Sequence, residues 1–98
     1  MTIQWAKNAT RQLAAAHAYV ATDNARAADR LLSRISDAVK QLSLHPRLGR
    51  QGRVKNTREL IIVGTPYIVA YRIAGETIQV LAVLHGSRKW PANLGSVR

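Results

Sequence analysis

Residues 57–86 read TRELIIVGTPYIVAYRIAGETIQVLAVLHG, and their punctuation decides the fold. Thr57–Val63 is closed by Gly64-Thr65-Pro66, Tyr67–Ile73 by the tight Ala74-Gly75-Glu76 turn, and Thr77–His85 ends at Gly86. β-Branched and aromatic runs bounded by turn formers predict three successive strands. The last two are apolar on both faces, with Tyr67, Val69, Tyr71 and Ile73 on one, and Ile68 and Ala70 on the other. A strand covered on one side alternates more cleanly. One face therefore meets a second layer, and the other is covered by the C-terminal tail or left for a partner.

Upstream lies the material for that second layer. Ala28, Leu31, Leu32, Ile35, Val39 and Leu42 recur in three- and four-residue steps, which predicts an amphipathic helix from about Ala25 to Leu44. Thr22-Asp23-Asn24 supplies its turn and cap, and His45-Pro46 stops it, because the residue before proline is pushed out of the α region. Before it, Asn8 caps an alanine-rich helix with Ala9, Leu13, Ala16 and Val20 at helical spacing. So short a connection makes an antiparallel hairpin. Thr2-Ile3-Gln4-Trp5 alternates as a short strand. The order β-α-α-β-β-β predicts a two-layer α+β domain, its helical hairpin packed on an antiparallel sheet. No repeat or linker divides the chain, so 1–98 is one domain, with 91–98 a short tail.

The 98 residues are 47% hydrophobic, which excludes a polar, disordered segment. The absence of cysteine excludes a disulfide framework and thiolate metal sites. No apolar run is long enough for a signal peptide or a bilayer span, so a soluble, cytoplasmic protein without membrane partners is expected. Fifteen Lys+Arg against five Asp+Glu give a net charge of +10, and eleven of the fifteen are arginine. The excess is uneven: residues 1–44 carry six basic and three acidic groups, and residues 45–98 carry nine and two. Such a field attracts a polyanion or an acidic protein, and arginine favours bidentate contact with phosphate or carboxylate. Arg47, Gly49, Arg50, Gly52, Arg53 and Lys55 punctuate a stretch, 47–56, that reads as a mobile, exposed loop. It is either a solvated connector or an element that steers a nucleic acid or docks on an acidic protein. It holds no aromatic residue for base stacking.

No metal site or cofactor is expected, since neither paired His/Asp clusters nor a phosphate-cradling glycine motif is present. The remaining chemistry is cationic: His85-Gly86-Ser87-Arg88-Lys89-Trp90-Pro91 follows the last strand. Metal-independent RNA cleavage needs a proton acceptor, cations for the phosphorane and a donor for the leaving oxygen. His85, Arg88 and Lys89, with Arg72 on the adjacent strand and Tyr67 or Tyr71 assisting, supply those residue types. The same residues also read structurally, His85 capping the sheet edge and Trp90 closing the core. A single histidine with no visible acid partner favours that second reading, and His17 and His45 are read as structural too.

Pro46-Arg47-Leu48-Gly49-Arg50, Thr57-Arg58-Glu59-Leu60, Tyr67-Ile68-Val69-Ala70-Tyr71-Arg72-Ile73 and Val83-Leu84-His85-Gly86-Ser87-Arg88-Lys89-Trp90 together resemble the RelE/ParE superfamily of bacterial type II toxins. The resemblance runs from Trp5 to about Trp90. It implies the same strand, helical hairpin and antiparallel sheet, and a co-encoded antitoxin whose acidic segment wraps the toxin in a hetero-oligomer. The RelE-like branch resembles ribosome-dependent mRNA endonucleases with cations on the central strands. Here Glu59 and Ile61 stand where that branch carries lysine, Ile68 stands where it carries arginine, and only Arg88 matches well. The ParE-like branch resembles poisons of DNA gyrase that act by binding, and the sequence fits it better. The expected reading is a growth-inhibiting toxin with no catalytic residues, docking on gyrase through Arg47, Arg50, Arg53, Lys55, Arg58, Arg88 and Lys89. Its antitoxin is expected at Tyr67, Tyr71, Arg72 and Trp90. The alternative is an mRNA interferase using His85, Arg88 and Arg72 on ribosome-bound mRNA.

Overall fold

The computed structural model describes residues 1–86. Arg88, Lys89, Trp90 and the 91–98 tail therefore lie outside the described residues. Strand β1 (Thr2–Trp5) leads into helices α1 (Lys7–Ala21) and α2 (Ala25–Lys40), then strands β2 (Arg50–Gln51), β3 (Arg58–Ile61), β4 (Tyr67–Ala74) and β5 (Thr77–His85). The sheet order is β1-β5-β4-β3-β2. The architecture is the predicted two-layer α+β arrangement, with two corrections. The 47–56 stretch contributes β2, and β1 joins parallel to β5, from Thr2 opposite Thr77 to Trp5 opposite Val80. A parallel partner requires a long crossover, and the helical hairpin together with the later strands provides it.

The change from strand to helix is abrupt. The Ala6 N–H donates to Val80 O at 2.9 Å, so β1's ladder ends where α1 begins. Ala6, with no side-chain cap, takes the N-cap position expected of Asn8. At α2 the cap is as read: Asn24 Oδ1 accepts from the Ala27 N–H at 3.0 Å, satisfying one of the free first-turn donors. His17 Nε2 meets Asp29 Oδ1 at 2.9 Å and ties the two helices. Helix α2 stops at Lys40, before the predicted Leu44, and a 3-10 turn over Gln41–Ser43 follows. The Ser43 hydroxyl donates to Lys40 O at 2.9 Å, and the tighter turn keeps Leu42 buried while Leu44 faces outward.

The principal core lies between the hairpin and one sheet face. Leu31, Ile35, Val39 and Leu42 pack on Leu60, Ile62, Val69, Tyr71, Ile78, Val80 and Val83. Ala70, Leu81 and Ala82 form a second cluster on the opposite face, with Val54 and Leu84 against it. The division of β4 into two apolar faces is the one its sequence predicts. A bulge between Ala70 and Tyr71 leaves Leu81 outside the pairing of β4 with β5. Strand β3 is shorter than Thr57–Val63. The Thr57 N–H and hydroxyl both donate to Val54 O, and Thr65 donates to Ile62 O, so turns occupy both ends.

Candidate functional site

The basic loop is built around one carboxylate. Glu59 lies on β3 opposite Arg50 of β2 and is only 2% exposed. Its Oε1 accepts from Arg50 Nη2 at 2.9 Å and Arg50 Nε at 3.3 Å. Oε2 accepts from the Arg53 backbone N–H at 2.8 Å and Arg53 Nε at 3.1 Å. Burial alone would raise this carboxyl's pKa. The side-chain and backbone hydrogen bonds from Arg53, with the Arg50 guanidinium, outweigh burial and hold it below its ordinary value. This segment, expected to be mobile, is thus pinned through a pairing that no local pattern announces.

Tyr71 anchors the other end of the loop. Its ring is fully buried, and its hydroxyl donates to Pro46 O at 2.7 Å and accepts from the Gly49 N–H at 2.9 Å. Burial raises the phenol's pKa, although the Gly49 hydrogen bond and the Arg58 charge pull it down. The expected antitoxin contact at Tyr71 is corrected accordingly: a buried ring offers a partner no surface. Gly49 is required at the contact, since a Cβ there would stand 2.7 Å from Tyr71 Cε1 and 2.9 Å from Glu59 O.

The predicted cations separate into groups. Arg50 and Arg53 are ion-paired to Glu59. Lys55, Arg58 and Arg72 line a hollow of about 620 Å³ at the end of the sheet, together with Gln51, Asn56 and Thr57. Arg58 Nη1 donates to Gly49 O at 2.7 Å, and Arg72 Nε donates to Gln79 Oε1. Arg47 is exposed. The proposed ribonuclease pair does not meet. Arg72 lies opposite Gln79, whereas His85 lies opposite Tyr67 at the other end of the same hairpin. Six residues of β5 at about 3.3 Å each put roughly 20 Å between them. Strand alternation also places Arg72 on the second face and His85 beside Tyr67 on the helix side. His85 packs edge-on against Tyr67, with ring centroids 5.5 Å apart.

One surface was not foreseen from the sequence. The outer edge of β3 beyond Glu59 is paired by no described strand, because β2 reaches only Arg58 and Glu59. Between this edge and α2 runs a groove of about 680 Å³, walled by Arg34, Ala38 and Gln41 on one side and Leu60–Val63 on the other. Leu48 also lines it, and Leu48, Ile61 and Val63 are 51%, 49% and 81% exposed. Its signal in the sequence was that Leu60–Val63 is apolar at consecutive positions, more than one buried face requires.

Residues 3–90 match the family model described as the ParE toxin of type II toxin-antitoxin system, parDE. The chain belongs to the ParE toxin family. The Y4kP protein of Sinorhizobium fredii is 42% identical over 89 residues, covering 91% of this chain and 92% of that protein. Toxin RelE2 of Caulobacter vibrioides is 28% identical over 86 residues, covering 88% and 96%. Among solved structures, the chromosomal ParDE toxin–antitoxin system from P. aeruginosa aligns with a TM-score of 0.77 at 26% identity, covering 87% of this chain and 95% of that one. These matches span nearly the whole chain, so the likeness includes the hairpin, the sheet and the loop.

Proposed function

We propose that this ParE-family toxin arrests growth by binding DNA gyrase through its basic end, and that a cognate antitoxin neutralises it. The observation that carries this reading is the second sheet face. Glu59 lies beside Ala70, and Ile61 beside Ile68, so the positions where the RNA-cutting branch carries cations form one patch. Here that patch is aliphatic apart from a carboxylate already satisfied by Arg50 and Arg53. Each missing transition-state cation costs a nuclease about 2–4 kcal/mol. A binding toxin needs none of them. Arg47, Lys55 and Arg58 face the target in this reading; Tyr67 and Arg72, at opposite ends of β4, remain separate proposed antitoxin contacts, as does Trp90 outside the described residues.

The antitoxin's main seat is the groove between α2 and β3. An extended segment can add to the open β3 edge by main-chain pairing while its apolar side chains meet Leu48, Ile61 and Val63. Lasting neutralisation requires burial in the ~2,000 Å² range of permanent complexes. Ile61→Asp should weaken antitoxin binding about tenfold, since an interface core rejects charge, with little change in stability because the site is half exposed. Calorimetric titration with the antitoxin, beside urea unfolding of the free variant, checks both halves.

The target is tested with purified gyrase and ribosome-bound mRNA exposed to the same toxin preparation. Inhibited supercoiling with intact mRNA is expected. Unimpaired supercoiling with codon-placed cuts would replace this reading by the mRNA interferase.

A further inference from the structure

The cations of the basic end do different work. Glu59 commits Arg50 and Arg53. Lys55 and Arg58 have no carboxylate at ion-pair distance among the described residues. With Arg72 they line the 620 Å³ hollow, whose described wall contains no acid. Arg58 is half-buried, and its Nη1 is fixed by a neutral acceptor, Gly49 O, which aims the guanidinium without cancelling its charge. Arg72 is steadied in the same hollow by Gln79. A guanidinium already held in place loses less freedom when it binds an anion.

We infer that this hollow seats the phosphodiester backbone of duplex DNA. Gln51, Asn56 and Thr57 add polar side chains to its wall, and Ile73 is the one large apolar residue among those described there. A peptide partner relies on buried apolar anchors, and this molecule offers those in the β3 groove. Among the described residues no aromatic side chain lines the hollow, so these residues supply no platform for the unstacked bases of a single strand. Cations and short polar side chains set in a hollow meet phosphate oxygens, and contacts of that kind fix position and leave sequence unread. A duplex, with one charge per ~1.7 Å of axis, is the densest match. The inference deepens the target-facing reading of the basic end, and it is tested in the absence of gyrase so that the two can fail separately.

The test is fluorescence anisotropy of a short labelled DNA duplex with the purified toxin across a salt series. Affinity should fall linearly with salt on logarithmic axes. Lys55→Gln combined with Arg58→Gln should weaken binding at low salt about tenfold or more and reduce the slope by about 2, at roughly 0.9 per phosphate contact. The matched pair Arg26→Gln and Arg30→Gln, exposed on α2, should leave the slope nearly unchanged. Because Arg58 also braces the loop, Lys55→Glu alone, at an exposed position, gives an independent reading and should lower the slope by about 1. Equal losses from the α2 pair would show diffuse charge attraction and overturn the inference. So would displacement of the duplex by polyglutamate as readily as by unlabelled DNA, or wild-type binding by Lys55→Glu. Duplex binding without gyrase inhibition would leave the hollow standing and remove the gyrase reading.

Discussion

Glu59→Ala is expected to destabilise the fold by about 2–3 kcal/mol at neutral pH, less than the ~3–5 kcal/mol typical of a broken buried ion pair. The reduction follows from exposure. The Arg50 and Arg53 side chains are 52% and 45% exposed, so water can take over part of their solvation when the carboxylate goes. The Arg53 backbone N–H, bonded to Oε2 at 2.8 Å, loses its acceptor, and β2 loses its lock to β3. The pH dependence separates charge from shape. The folded-state pKa of Glu59 lies below its ordinary 4.5. Its stabilisation is therefore complete above about 4.5, where the unfolded carboxyl is also ionised, and is lost as pH falls through the lower folded value. In urea unfolding at pH 7 and pH 3, the gap between wild type and Glu59→Gln should be smaller at the second than at the first. An equal gap at both would mean that the carboxylate's charge is not what holds the loop.

Tyr71→Ala should cost more, about 3–5 kcal/mol, as expected for an emptied aromatic site in a packed core. Tyr71→Phe isolates the hydroxyl. It keeps the ring but leaves Pro46 O and the Gly49 N–H without their partner, for about 1–3 kcal/mol. The two variants should also differ in where they loosen the protein. Hydrogen exchange in Tyr71→Phe should rise around residues 46–53, with the β4–β5 ladder still protected, whereas Tyr71→Ala should expose both. Uniform loss of protection in Tyr71→Phe would show that the hydroxyl supports the whole core.

Periodicity carried much of the fold. The spacing of Ala28, Leu31, Ile35 and Val39 marked α2, and Gly64 and Gly75, both with positive φ, marked the turns bordering β4. Contacts between distant segments were not legible. Parallel pairing of β1 with β5 depends on how the hairpin crosses the sheet, which the alternation of Thr2–Trp5 does not encode. The loop looked mobile because glycines and arginines look alike whether solvated or pinned. Its order comes from Glu59 and Tyr71, which are read locally as an ordinary strand acid and an aromatic face residue. The candidate site suffered for the same reason. Charge counting found the basic end but could not tell arginines spent on Glu59 from those lining the hollow. The β3 groove escaped notice because edge exposure is a property of the sheet order.

The seating of β1 on β5 also sets the order in which a newly made chain can finish. During synthesis the first strand emerges early, but the strand it must lie against is the last of the described elements to be made. Joining them spends loop-closure entropy over almost the full length, and contacts so far apart in sequence form late. A nascent copy can assemble its helices while its sheet stays open at that edge. A chain interrupted before Thr77 has no place to put its own beginning, so an abandoned translation product would stay unfinished and would not become a folded toxin.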